Sequence, residues 1–89
     1  MTEERREILQ EDIMNGEKAK YALEFLKEFI LEHRARMLDK IEKEAFEAPD
    51  DLLRGYAIDL HILRFFEATA GAVIQRAEIA EEELINADE

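Results

Sequence analysis

Pro49 is the only proline in the chain, and it constrains the fold more than any other residue. Proline has no amide hydrogen to donate and its ring clashes with the preceding turn, so a helix cannot run through it undisturbed. On both sides of Pro49 the sequence is dominated by Ala, Leu, Glu, Lys and Arg, the strongest helix formers, and it holds only three glycines. Turn residues this scarce exclude a protein built from strands. The expected fold class is all-α, with a long antiparallel helical hairpin closing at Pro49.

Local signals divide the chain further. Thr2 suits the N-cap of a first helix, with Glu3 and Glu4 in its electropositive first turn. Asn15-Gly16 is a common helix-stop pair, so this helix is expected over about 2–14. A second helix then spans about 17–47. Ala48-Pro49-Asp50-Asp51 starts a third, over about 50–86, with Pro49 at its first position and the two acids complementing its dipole. Gly55 and Gly71 fall inside the third helix. Gly71, in the small-residue run Ala68-Thr69-Ala70-Gly71-Ala72, marks either a close helix approach or a kink. All 89 residues form one domain.

Apolar periodicity supports the hairpin. Ala19, Ala22, Leu26, Ile30, His33, Met37, Ile41, Ala45 and Ala48 recur at three- and four-residue steps on the second helix. On the third, Leu53, Tyr56, Leu60, Leu63, Phe66, Ala70, Val73, Ala77, Ala80 and Leu84 do the same. Within that row Tyr56, Leu63, Ala70, Ala77 and Leu84 repeat every seven residues, while Glu67 and Glu81 interrupt the companion positions. The pattern is that of a bundle seam rather than a leucine zipper. Folding about Pro49 sets Tyr21, Phe25 and Phe29 against residues 69–77, where large rings can interdigitate with Ala and Gly.

The turn end of the hairpin does not balance. From Leu52 to Phe66 the third helix is apolar on most sides, whereas Glu32 to Phe46 offers one apolar stripe. Ile58, Ile62 and Phe65 form a second stripe that nothing in the hairpin covers. The short first helix is expected to fold back near residues 17–30, out of reach. A lone hairpin has a thin core, and an uncovered apolar stripe marks an interface. The chain is therefore expected to associate with itself as a dimer or higher oligomer through Ile58, Ile62 and Phe65.

Charge and missing residue types narrow the chemistry. There is no Cys, Ser or Trp, which removes disulfides, thiolate sites and serine nucleophiles. The two histidines, His33 and His61, lack the acid or second histidine at three or four residues that a bundle metal site uses. No glycine-rich phosphate loop occurs and no carboxylate pair sits in an evident cleft. The expectation is a protein without enzymatic activity, cofactor or metal. The formal charge is −11, which opposes direct binding to a nucleic-acid backbone. The N-terminus carries no apolar signal segment, no apolar run is long enough to span a bilayer, and the amphipathic stretches are acidic, so no membrane contact is expected and the expected location is cytoplasmic.

The charge is unevenly spread, at −3 over residues 1–16, −1 over 17–48 and −7 over 49–89. Glu78, Glu81, Glu82 and Glu83 crowd the end of the third helix, and Arg34, Arg36, Lys40 and Lys43 cluster near the turn end of the second. The plainest explanation is a solvated face with pairs such as Glu32–Arg36 and Asp39–Lys43. The functional one is an acidic surface that docks on a basic patch, either a neighbour's Arg34–Lys43 or a foreign basic protein.

The hairpin from Leu23 to Leu84 also resembles small helical proteins of unassigned role found in tailed-phage genomes. The likeness lies in a helix ending near an Arg-rich turn, His33-Arg34-Ala35-Arg36, then a spacer, a leucine-rich helix and a late glycine in Phe66-Glu67-Ala68-Thr69-Ala70-Gly71. It implies an assembly or accessory role in a phage, in the host cytoplasm or the virion, and transfers no functional residues. The leading expectation is thus a self-associating interaction protein. The alternative is an acidic inhibitor that imitates DNA toward a basic nucleic-acid-processing protein.

Overall fold

A computed structural model describes residues 1–47 and 49–88. It holds two helices, α1 over Glu3–Glu44 and α2 over Asp50–Asp88. Thr2 caps α1 as its side chain suggests: Thr2 Oγ1 accepts from the Arg5 amide at 3.1 Å, and the Thr2 carbonyl accepts from the Arg6 amide at 3.1 Å. At the far end Lys43 lies in the last turn, where a cation complements the exposed carbonyls. Residues 45–47 turn, and the Glu47 amide donates to the Glu44 carbonyl at 3.1 Å. Pro49 stands one residue before α2 rather than inside it. Its carbonyl accepts from the amides of Leu52 and Leu53, at 3.0 and 3.2 Å, and so starts the helical ladder. Asp50 and Asp51 occupy the first turn of α2. Ala48, expected on the seam, lies outside the described residues.

α1 does not stop at Asn15-Gly16. It runs unbroken for 42 residues, so the separate short helix over 2–14 and the second helix from 17 are one element, which ends at Glu44 rather than 47. A glycine that ends a helix takes a left-handed conformation, and no described residue has a positive φ. Gly16 instead serves packing. A Cβ built there would overlap the Cβ of Ala77, with the Ala77 Cα and the Val73 carbonyl oxygen each 3.6 Å away. Only hydrogen fits at that point. Gly71 shows the opposite. It is exposed on a continuous α2, with nothing within 4 Å of a built Cβ, so it is neither a close approach nor a break.

The chain divides into two compact units, each made from a piece of both helices. In the unit formed by Met1–Phe25 and Ala68–Glu89, Leu9, Gly16, Ala70, Ala77 and Ala80 are buried. From the Gly16–Ala77 contact, seven-residue steps along the antiparallel helices set Leu9 level with Leu84 and Leu23 level with Ala70. Large residues therefore meet small ones, but the large residue opposite the Ala-Gly stretch is Leu23. Tyr21 and Phe25, expected there, lie two residues to either side of Leu23, about half a turn away, and are 73% and 74% exposed. In the unit formed by Leu26–Glu67, Ile30, Met37 and Leu63 are buried, flanked by half-buried Leu26, His33, Ile41, Tyr56, Leu60 and Phe66. Phe29 also points outward here, more than half exposed. The ten residues of the expected α2 seam, Leu53 to Leu84, are all buried or half-buried.

The two glycines give opposite predictions. Gly71→Ala should stabilise the protein by about 1 kcal/mol, because alanine restricts the unfolded chain and nothing opposes its methyl group. Gly16→Ala should destabilise it by roughly 1–3 kcal/mol, because overpacking outweighs the same helix gain. Urea unfolding of both variants checks this. A stabilised Gly16→Ala variant would contradict the close approach.

Candidate functional site

Ile58, Ile62 and Phe65 step by four and three residues along α2 and share one face. Tyr56, Leu60 and Leu63, on the opposite face, are buried or half-buried, while the three are 51%, 56% and 66% exposed. Phe66, next in sequence, turns inward and is half-buried. The apolar stripe expected from the sequence is therefore uncovered within this chain.

The structure adds aromatic groups on α1 that the expected register assigns to the core. In the terminal unit the Tyr21 and Phe25 rings stack with centroids 6.3 Å apart and planes at 15°. In the turn unit the Phe29 ring stacks on His33 at 5.6 Å and 6°. Four-residue spacing brings each pair together on the surface of a helix. The sequence carries this signal as an aromatic row at four-residue steps, beside a separate Leu9–Gly16–Leu23–Ile30–Met37 row at sevens. A helix stop at Gly16 would interrupt the longer row, which hides it.

The charged clusters are partly engaged within their own units. Arg5 grips Glu83 with two bonds, Nε to Oε1 at 3.2 Å and a terminal nitrogen to Oε2 at 2.8 Å. That hydrogen bond, with the negative charge behind it, raises the Arg5 pKa above its ordinary value. Glu83 is thus half-buried and paired, while Glu78, Glu81 and Glu82 remain exposed. Of the basic residues, Arg34 pairs with Glu67, which explains how an acid is tolerated on the α2 seam. Lys43 pairs with Asp39 at 3.0 Å, one helical turn away, as expected; Glu32 and Arg36 do not close an ion pair. Lys40 lies over the Tyr56 ring, its Nζ 5.6 Å from the centroid. Arg36 shares an open hollow with Glu32, Ala35 and Asp39. Arg34, Lys40 and Lys43 thus have partners within the chain, while Arg36 stands beside Glu32 and Asp39.

Tyr56 also donates its hydroxyl to Glu44 Oε2 at 2.8 Å, tying α2 to the end of α1. This bond favours the neutral phenol, and burial and the carboxylate's charge add to it, so the Tyr56 pKa lies above its ordinary value. His61 is exposed and His33 half-buried. Among the described residues no group of three or more His, Cys, Asp or Glu could hold a metal ion, and no helix is long and apolar enough to cross a membrane. No protein-family model, curated protein or solved structure matches the chain.

A raised phenol pKa stabilises the fold below the unfolded value of about 10, and this contribution is lost as pH rises through the folded value. In a Tyr21→Phe background, where Tyr56 is the only tyrosine, phenolate absorbance should therefore develop at higher pH in the folded protein than in urea. Glu44→Gln should remove most of the difference. Identical folded and unfolded titrations would contradict the bond to Glu44.

Proposed function

We propose that this protein is a non-enzymatic interaction protein that works by associating with itself. The carrying observation is the uncovered face of Ile58, Ile62 and Phe65, each more than half exposed on a regular helix. Burying side chains of this size contributes roughly 1.5–3 kcal/mol each. The internal core is thin: among the described residues seven apolar ones are buried, and three of them are alanines.

A second copy is the occupant that the local charge favours. Two chains of charge −11 repel, yet from Leu52 to Phe66 the only acidic or basic residues are Arg54, Asp59 and Arg64. That face is close to neutral, so like chains can meet there with little electrostatic cost. A twofold pairing of hairpins into a four-helix core is the simplest arrangement. The resemblance to phage proteins favours an assembly or accessory role in a phage for such an oligomer. Docking of the acidic end on a basic partner is the second reading: Glu78, Glu81 and Glu82 are exposed there, while Glu83 is committed to Arg5.

Sedimentation equilibrium at micromolar concentration should find an oligomer at both low and high salt, since apolar contacts resist screening. Ile62→Glu should lower the assembled mass, because a charge would have to be desolvated at the contact. It should also lower the melting temperature, by about 4–8 °C for each kcal/mol of stabilisation that association supplies. A native chain sedimenting at 10.4 kDa would refute self-association. An oligomer that Ile62→Glu leaves unchanged would refute this face as its interface.

A further inference from the structure

We infer that Asn15-Gly16 is a covalent modification site that the fold holds inert: when the terminal unit opens, Asn15 deamidates through a succinimide, and the isoaspartate formed keeps that unit from closing again. This is independent of self-association. Asparagine followed by glycine is the pair most prone to the reaction, because glycine puts no side chain in the way of the attacking nitrogen. The other asparagine, Asn86, precedes Ala87, whose methyl group hinders the same attack.

The chemistry needs only water. The Gly16 amide nitrogen, having given its proton to solvent base, attacks Cγ of Asn15. A nitrogen–carbon bond forms, and the side-chain nitrogen takes up a proton and leaves as ammonia. Water then opens the succinimide at either carbonyl, giving aspartate or isoaspartate at position 15. Asn15 is exposed, so water reaches it. The backbone is what blocks ring closure, in two ways. α1 is continuous here, so the Gly16 amide donates to the carbonyl of Asp12, four residues back, and Asn15 keeps a helical ψ that holds the Gly16 nitrogen away from its Cγ. Gly16 is also packed on Ala77, in the same compact unit, with no room for the backbone rotation that closure requires. Both restraints are lost together when the unit opens. The two products then differ. Aspartate adds a charge at an exposed position, which the fold tolerates. Isoaspartate adds a methylene to the main chain one residue before the tight contact with Ala77, which interrupts the helical ladder and displaces Gly16.

The test incubates the full chain in mildly alkaline buffer and follows conversion at Asn15 by peptide mass spectrometry, with isoaspartyl methyltransferase as the probe for isoaspartate. In guanidinium chloride Asn15 should convert faster than Asn86. In native buffer its conversion should be at least about a hundredfold slower than in denaturant, the factor that an opening free energy of about 2.8 kcal/mol gives. Leu9→Ala removes a buried side chain of the same unit without touching the pair, and should raise the native rate at least about tenfold. If that variant does not fold, the wild-type rate should instead rise across guanidinium concentrations below the unfolding transition. After conversion in denaturant the two products are separated chromatographically and refolded. The aspartate form should regain the helical signal of the wild type by circular dichroism, and the isoaspartate form should not. Equal rates in buffer and denaturant would overturn protection by the fold. A native rate that neither Leu9→Ala nor dilute guanidinium moves would overturn opening of this unit as the gate. Full helicity in the isoaspartate form would overturn the block on closure.

Discussion

The contact between Gly16 and Ala77 is the constraint on which the rest of the terminal unit depends. Two backbones approach there so closely that a single methyl group cannot be added. A glycine inside a helix forfeits about 1 kcal/mol of helix stability against alanine, and here close packing offsets that loss. Because Gly16 stays helical, Leu9, Gly16 and Leu23 fall on one row at seven-residue steps, facing α2. Tyr21 and Phe25, two residues to either side of Leu23, face outward.

In the turn unit polar groups supply what a narrow apolar seam cannot. Ile30, Met37 and Leu63 are buried, and around them Arg34 pairs with Glu67, Tyr56 bonds to Glu44 and Lys40 covers the Tyr56 ring. These partners link the two helices across the seam and satisfy an acid and a phenol that burial would otherwise penalise. They also engage Arg34 and Lys40, two of the four basic residues clustered near the turn. Ile58, Ile62 and Phe65 stay exposed beside this seam, and the proposed self-association would bury them.

Much of the architecture is legible in the sequence. The α2 seam can be read residue by residue, because its seven-residue row from Tyr56 to Leu84 contains nothing that imitates a stop. Thr2 as a cap, the Asp50–Asp51 helix start and the outward stripe at Ile58, Ile62 and Phe65 follow from local chemistry. Asn15-Gly16 misleads because its residue types fit two physical roles, a left-handed cap and a site of close approach. Local propensity cannot separate them, since the choice depends on Ala77, sixty-one positions later. The consequence spreads along α1. Folding about Pro49 sets Tyr21, Phe25 and Phe29 against residues 69–77, whereas the register fixed by the Gly16–Ala77 contact puts Leu23 level with Ala70. Gly71, in the more suggestive small-residue run, faces open space.

Amide hydrogen exchange through the Asn15–Ala19 segment tests the central claim most directly, since the packing of the terminal unit follows from α1 being continuous there. A helix packed at Gly16 requires the amides of Gly16, Glu17, Lys18 and Ala19 to be protected to a degree comparable with Leu9 and Leu23. Exchange at free-chain rates across those four amides, with both flanks protected, would show a break at Asn15-Gly16 and contradict the account.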